Sequence, residues 1–151
     1  LVRILKEVVE RDTPLAAANQ ITLRLAVGVE EAILIGDEHR LSQAVDNLIG
    51  NAIMYTPPGG EVRVNLEYKA NGFQIAVYDT GIGIEAEHLN RIFERFYRTD
   101  KARSRQNGGT GLGLSIVKHI VELHEGKVWV ESKVGEGTAF YVHLPSQAGK
   151  Q

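Results

Sequence analysis

VRVNLEYKANGFQIAVYDTGIG, residues 62–83, decides the fold. Val62, Val64, Leu66 and Tyr68 alternate with polar residues, and Phe73, Ile75 and Val77 alternate again beyond Asn71-Gly72. Alternation of period two marks strands with one buried face, and Asn-Gly between two such runs signals a hairpin. The second run ends in Asp79, at the head of the turn Asp79-Thr80-Gly81-Ile82-Gly83. Thirty residues on, Gly109-Thr110-Gly111-Leu112-Gly113 leads into an apolar helical pattern. Glycine lets backbone N–H groups approach a phosphate with no Cβ in the way, and a helix N-terminus favours anions. One turn suits a base and the other suits phosphates, so the pair suggests a nucleotide site.

Outward from this stretch, Leu1, Ile4, Leu5, Val8 and Val9 recur at helical spacing, and Pro14 is expected to kink or end that helix. Ile21, Leu23, Leu25 and Val27 read as a strand, and Ala32 to Gly36 as a short second one. Asp37 has the character of an N-cap for a helix over 38–55, which Pro57-Pro58-Gly59-Gly60 stops. Residues 85–97 read as one or two short helices, and polar, basic 99–108 as an exposed loop. Leu112 to Leu123 is helical up to Gly126. Val128 and Val130, then Phe140, Val142 and Leu144, form a second hairpin across Gly135-Glu136-Gly137. Helices and hairpins segregate, which predicts one α+β domain over 1–151, with helices layered on a mixed, mostly antiparallel sheet.

Composition sets the bounds. The 151 residues suffice for one domain with a sizeable core. A net charge of -2 gives no electrostatic case for nucleic acid or membrane partners. The absence of cysteine excludes disulfides, thiol catalysis and cysteine metal sites. The chain begins at Leu1 rather than Met, as a piece of a longer protein would.

On the helix over 38–55, Gln43, Asn47, Asn51 and Tyr55 lie four apart and share a face beside the apolar stripe Leu41, Val45, Leu48 and Ala52. Asn is a poor helix-interior residue unless its amide has a task. Two amides one turn apart can offer oxygen to a hard cation and N–H to phosphates. Asp79 can accept a hydrogen bond from an exocyclic amine such as that of adenine. The turn at 109–113 is not a Rossmann loop, because Leu114 stands where a third glycine is needed. It is not a Walker loop, because Lys118 is followed by His119. Phe93 and Phe96 flank Arg95, with Tyr97 and Arg98 after them, and Arg can hold a phosphoryl oxygen.

In their order and spacing these pieces resemble the catalytic ATP-binding domain of a bacterial two-component sensor histidine kinase, in the superfamily shared with gyrase, MutL and the heat-shock chaperone ATPases. The resemblance rests on Asp46 to Ala52 (Asn box), Asp79 to Ile84 (first Gly box), Ile92 to Arg98 (Phe box), Gly109 to Leu114 (second Gly box) and Gly135 to Thr138. It implies a two-layer α/β sandwich of Bergerat type, with ATP and Mg²⁺ as cofactors. Asn47 and Asn51 would hold Mg²⁺ and phosphates, and Arg98 would approach the γ-phosphate. Asp79 would read the adenine amine, helped through water by Thr138. Gly81, Gly83 and Ile84 would form the base-pocket turn, with Tyr55 near the adenine. Residues 99–108 would be an ATP lid anchored by Phe93 and Phe96. Backbone amides of Gly109, Thr110, Gly111, Leu112, Gly113 and Leu114 would grip the phosphate chain.

The same resemblance implies a separate dimerisation domain carrying the acceptor histidine, a downstream response regulator, and a place in the cytoplasmic portion of a membrane-bound sensor. None of the five histidines here sits in the acceptor pattern, and all five read as structural or solvated. Met54 stands where the family commonly has Lys or Arg. Asn47 stands where gyrase and chaperone relatives carry a water-activating Glu, so ATP hydrolysis is expected to be slow. The alternatives are an anti-sigma-type Ser/Thr kinase of the superfamily, which the Phe box and long lid oppose, and a non-catalytic nucleotide-sensing module.

Overall fold

The computed structural model describes residues 1–95, 97 and 113–146. The expected loop at 99–108 lies outside the described residues. The strands β1 (Thr22–Val27), β2 (Glu61–Lys69), β3 (Gly72–Asp79), β4 (Lys127–Lys133) and β5 (Gly137–Pro145) form one five-stranded sheet in the order β1-β2-β3-β5-β4. β1 runs parallel to β2, and every other neighbouring pair is antiparallel. The helices α1 (Val2–Ala18), α2 (Glu38–Met54) and α3 (Gly113–Leu123) pack against this sheet. The architecture is the expected two-layer α/β sandwich on a mixed, mostly antiparallel sheet.

Alternation in the strands builds the core. Val62, Val64 and Leu66 of β2, Ile75 and Val77 of β3, and Phe140, Val142 and Leu144 of β5 are buried against Leu5 and Val8 of α1, Leu48, Ile49 and Ala52 of α2, and Val117, Ile120 and Val121 of α3. Burial of this apolar surface is the main favourable term in folding. On the other side of the sheet the Arg63 guanidinium lies over the Tyr78 ring at 4.9 Å, and Trp129 stacks on Tyr141.

Local signals fix the ends of α2. Asp37 caps it as expected, its carboxylate accepting the Arg40 N–H at 3.1 Å. The Asp37 N–H donates to Nε2 of His124 at 2.9 Å, while Nδ1 of His124 meets the Ile120 carbonyl oxygen. One histidine ring thus ties the end of α3 to the start of α2. At the seam between α1 and α2, Asp12 is buried with Oδ2 unpartnered. Burial, then the nearby Asp46 carboxyl, pushes Asp12 up to about 7.

Three expectations change. Ala32 to Gly36 forms no strand: its alternation holds, with Ala32 buried and Ile33 and Ile35 exposed, but the Ala32 carbonyl accepts from the Leu1 amino group at 2.7 Å rather than joining a ladder. Pro14 does not end α1, because the buried Ile4, Leu5, Val8 and Ala16 hold one continuous helix to Ala18. Within 85–97 the expected short helix is present, as the 3-10 helix Ala86–His88 among the described residues. The first hairpin also turns one residue early. Lys69 pairs with Gly72, so Ala70 and Asn71 occupy the turn at φ 53° and 59°. Gly72 is required instead by close approach, since a Cβ there would lie 2.5 Å from the Leu144 carbonyl oxygen.

That placement has opposite consequences at neighbouring positions. Ala70→Gly relieves left-handed strain and is expected to stabilise by up to about 1 kcal/mol. Gly72→Ala is expected to destabilise by more than about 1 kcal/mol. Urea denaturation of the two variants checks this, and the reverse order of stability would place the turn at Asn71-Gly72.

Candidate nucleotide-binding site

α2 brings the Asn box to the ends of both glycine motifs. Asn47 and Asn51 are half-buried, one turn apart on the same helix. The Asn47 amide Nδ2 donates to the carbonyl of Gly113, the first residue of α3, at 3.4 Å. That leaves the Asn47 Oδ1 as an oxygen donor. Tyr55 caps the end of α2, and its carbonyl accepts the Ile82 N–H at 3.2 Å. The first glycine turn therefore packs directly on the end of the Asn-box helix. Gly81 has no room for a side chain, because a Cβ would lie 2.4 Å from the Tyr55 carbonyl oxygen. Gly83 adopts φ +79°, with a virtual Cβ 2.4 Å from the Lys133 carbonyl oxygen.

Asp79 ends β3, buried, with its Cα opposite Thr138 of β5. Oδ1 accepts the Gly81 N–H at 2.8 Å and the Thr138 N–H at 3.2 Å. Among the described residues both bonds go to Oδ1, so Oδ2 takes no backbone donor. Burial pushes the carboxyl up to about 6, against the downward pull of the two N–H donors. A carboxylate in this state gains by meeting a further donor, such as an exocyclic amine.

Behind this turn sits a residue that the sequence reading missed. Ser132 Oγ accepts the Ile84 N–H at 2.7 Å and lies 3.0 Å from the Gly137 carbonyl oxygen and 2.8 Å from Thr138 Oγ1. Nothing in its sequence neighbourhood marks it, because its partners come from two separate places in the chain, Ile84 and the pair Gly137-Thr138 across the second hairpin. Gly135 N–H to Ile82 O, at 3.0 Å, closes the same corner.

Phe93 stacks edge-on against core Phe140 at 6.0 Å. The Tyr97 hydroxyl meets Nδ1 of His88, and the Arg91 guanidinium lies 4.6 Å from the Tyr97 ring centroid. Leu114 and Ile84 are partly buried against the core. Of the expected site residues, Asn47, Asn51, Tyr55, Asp79, Gly81, Gly83, Ile84, Gly113, Leu114 and Thr138 are described. They frame one region between the end of α2, the ends of β3 and β5, and the start of α3. Phe96, Arg98, Gly109, Thr110, Gly111 and Leu112 lie outside the described residues.

The family model described as "Histidine kinase-, DNA gyrase B-, and HSP90-like ATPase" matches residues 36–148. The chain is 42% identical over 142 residues to the sensor-like histidine kinase SenX3 of Mycolicibacterium smegmatis, covering 94% of this chain and 37% of that protein. It is 41% identical over 133 residues to the phosphate regulon sensor protein PhoR of Pseudomonas aeruginosa, covering 87% and 29%. The chain thus spans roughly a third of these curated relatives. The nucleotide-free catalytic domain of the histidine kinase ThkA superposes with a TM-score of 0.86 at 27% identity, covering 100% of this chain and 95% of that one. Full-length ShkA in complex with AMPPNP gives 0.83 at 32% identity, covering 94% and 29%. No helix among the described residues is long and apolar enough to cross a membrane.

The raised Asp79 carboxyl carries a stability signature. The folded protein holds a proton on Asp79 at a pH where the unfolded chain has lost it. The stability so contributed is full below about pH 4 and is lost as pH rises through about 6. Asp79→Asn removes that ionisation. The variant is expected to gain on the wild type between those limits, by on the order of 2–3 kcal/mol. Urea denaturation of both proteins across this range checks it, and stability profiles that stay parallel would show an ordinary carboxyl.

Proposed function

This chain belongs to the histidine kinase-, DNA gyrase B-, and HSP90-like ATPase family as a histidine-kinase catalytic domain, and from that premise we propose that it binds ATP with Mg²⁺ and passes the γ-phosphoryl group to a histidine on a separate dimerisation domain. The observation that carries this reading is Asp79, a buried carboxylate whose Oδ1 is held by two backbone donors, at the end of a turn seated on the Asn-box helix. The AMPPNP complex of ShkA and the complex of ThkA with the response regulator TrrA support the nucleotide and the downstream partner by analogy.

In this reading Oδ2 of Asp79 accepts a hydrogen from the adenine amine, and the Thr138 hydroxyl meets the base through water. Gly81 and Gly83 keep the pocket wall free of side chains, with Ile84 and Tyr55 as its apolar and aromatic neighbours. Oxygen-donating amides one turn apart fit a hard cation that keeps phosphate and water in its shell. Asn47 and Asn51 would hold Mg²⁺ there, and the ion would offset charge on the phosphates. Phe96 anchors the lid over 99–108, and Arg98 approaches the γ-phosphate. Gly109, Thr110, Gly111, Leu112, Gly113 and Leu114 supply N–H groups to the phosphate chain.

Transfer breaks the bond between the γ-phosphorus and the β,γ-bridging oxygen, releasing ADP. It forms a phosphorus–nitrogen bond to the acceptor imidazole, which gives up its proton. Asn47 places no carboxylate against water at that point, which favours transfer over hydrolysis. Residues 1–151 form one catalytic domain, positioned in the cytoplasmic portion of a sensor, with the acceptor domain elsewhere in the longer protein.

Incubation with ATP-Mg²⁺ and a separately made dimerisation domain is expected to yield acid-labile phosphate on histidine. Tight ATP binding without transfer would favour a nucleotide-sensing module, and acid-stable phosphate on a protein serine would favour the anti-sigma-type kinase. Asp79→Asn is expected to weaken ATP binding by about 1–3 kcal/mol. Calorimetry showing wild-type affinity in that variant would sink the adenine assignment.

A further inference from the structure

Ser132 resolves a question that distances to Thr138 alone leave open, namely which way the Thr138 hydroxyl points. A serine hydroxyl has one hydrogen and two lone pairs. Ser132 Oγ has three partners, at 2.7 Å (Ile84 N), 3.0 Å (Gly137 O) and 2.8 Å (Thr138 Oγ1). The Ile84 N–H can only donate, so it occupies one lone pair. The Gly137 carbonyl can only accept, so it takes the Ser132 hydrogen. One lone pair remains, and Thr138 can satisfy it only by donating its own hydrogen. Thr138 Oγ1 then offers nothing but lone pairs to a ligand. The reverse assignment, with Ser132 donating to Thr138, would deprive the Gly137 carbonyl of the Ser132 hydrogen.

Asp79 stands beside it. With both backbone donors on Oδ1, the ionised Oδ2 also offers only lone pairs. We propose that Ser132 is a specificity-determining residue: by turning Thr138 into an acceptor, it lets that hydroxyl take one hydrogen of the water between Thr138 and the base while Asp79 Oδ2 takes the other, so that the polar end of the base pocket is acceptor-only. Such a pocket takes a purine with an amine at C6 and rejects one with a carbonyl there, because an acceptor facing acceptors leaves buried polar groups unpaired. Ser132 acts through Thr138 and the Ile84 N–H without touching the base. The inference rests on the reading of Asp79 and Thr138 as the adenine end, and it assigns the control of their selectivity to a side chain on β4.

The test compares ATP with inosine triphosphate, which carries a C6 carbonyl for the amine and, with it, an N1–H for the bare N1 of adenine. Both are titrated calorimetrically in Mg²⁺ into the wild type, Ser132→Ala, Ser132→Thr and Thr138→Val. The wild type is expected to prefer ATP. In Ser132→Ala the Thr138 hydroxyl is released to rotate and donate, so the preference is expected to fall by about tenfold. Ser132→Thr keeps the hydroxyl and is expected to retain it. Thr138→Val keeps the shape, loses the acceptor and is expected to lower the preference without touching Ser132, which covers the case of a poorly folded Ser132→Ala. A purely structural Ser132 would weaken both nucleotides alike and leave their ratio unchanged, and that result would overturn the proposal. Wild-type protein that binds neither nucleotide would overturn the ATP reading itself, an outcome distinct from ATP binding with an unmoved ratio.

Discussion

The bonds from the Gly81 and Thr138 N–H groups to Oδ1 of Asp79 are the constraint on which the rest of the site depends. They join the end of β3, the first glycine turn and the start of β5 at one buried atom. Removing a carboxylate from water is costly, and two neutral donors only partly offset that loss. The carboxyl accordingly stays above its ordinary range, pushed up by burial despite both bonds. A group held in this condition has a standing preference for one more donor. On the proposed reading, the remaining acceptor capacity of this carboxylate lies where a ligand amine can use it.

α2 connects that demand to the core. One of its faces carries Leu41, Ala44, Val45, Leu48, Ile49, Ala52 and Ile53, all buried. The adjacent face carries Asn47 and Asn51, and the helix ends at Tyr55, whose carbonyl receives the glycine turn. Because neighbouring faces of one helix move together, any change that shifts the apolar stripe also shifts the amides. His124 adds a tie at the other end, holding the α2 N-terminus to α3 through the Asp37 N–H. α3 is thereby tied to α2 at both of its ends, by His124 to the start of α2 and by Gly113 to Asn47 at mid-helix.

Much of this was legible in the sequence because it follows from periodicity. Alternation at Val62 to Val77 and at Phe140 to Leu144 gave both hairpins, and the stripe on α2 placed Asn47 and Asn51 beside the core. Periodicity failed where pairing partners decide the outcome. Ala32 to Gly36 alternates like a strand, but nothing in its own residues says that no strand will pair with it. Asn71-Gly72 has the chemistry of a turn, yet glycine is needed at 72 by the neighbouring strand, and the turn moves to Ala70-Asn71. Ser132 was invisible for a related reason. Its three partners, Ile84, Gly137 and Thr138, meet it only through the register that sets Ser132 opposite Thr138. Asp79 was legible because a carboxylate at the end of an apolar strand is unusual, whereas a serine in a polar hairpin strand is not.

The two ends of the proposed site differ in physical kind. The base end is made of backbone groups, short hydroxyls and one carboxylate, with glycines permitting close contact. It supplies selectivity and no positive charge. Asn47 and Asn51, the described polar groups at the phosphate end, are neutral amides, and α2 ends in the uncharged Met54. A triphosphate carries several negative charges, and amides alone do not neutralise them. On the proposed reading that task falls to Mg²⁺ and to Arg98, Lys101, Arg103 and Arg105. Base recognition then belongs to the part of the fold fixed by strand pairing, and charge neutralisation to the metal and the segment between the Phe box and the second glycine motif. Selectivity for the base and grip on the phosphates are therefore separable, and substitutions at Asp79 or Ser132 act on the first without removing any cation that serves the second.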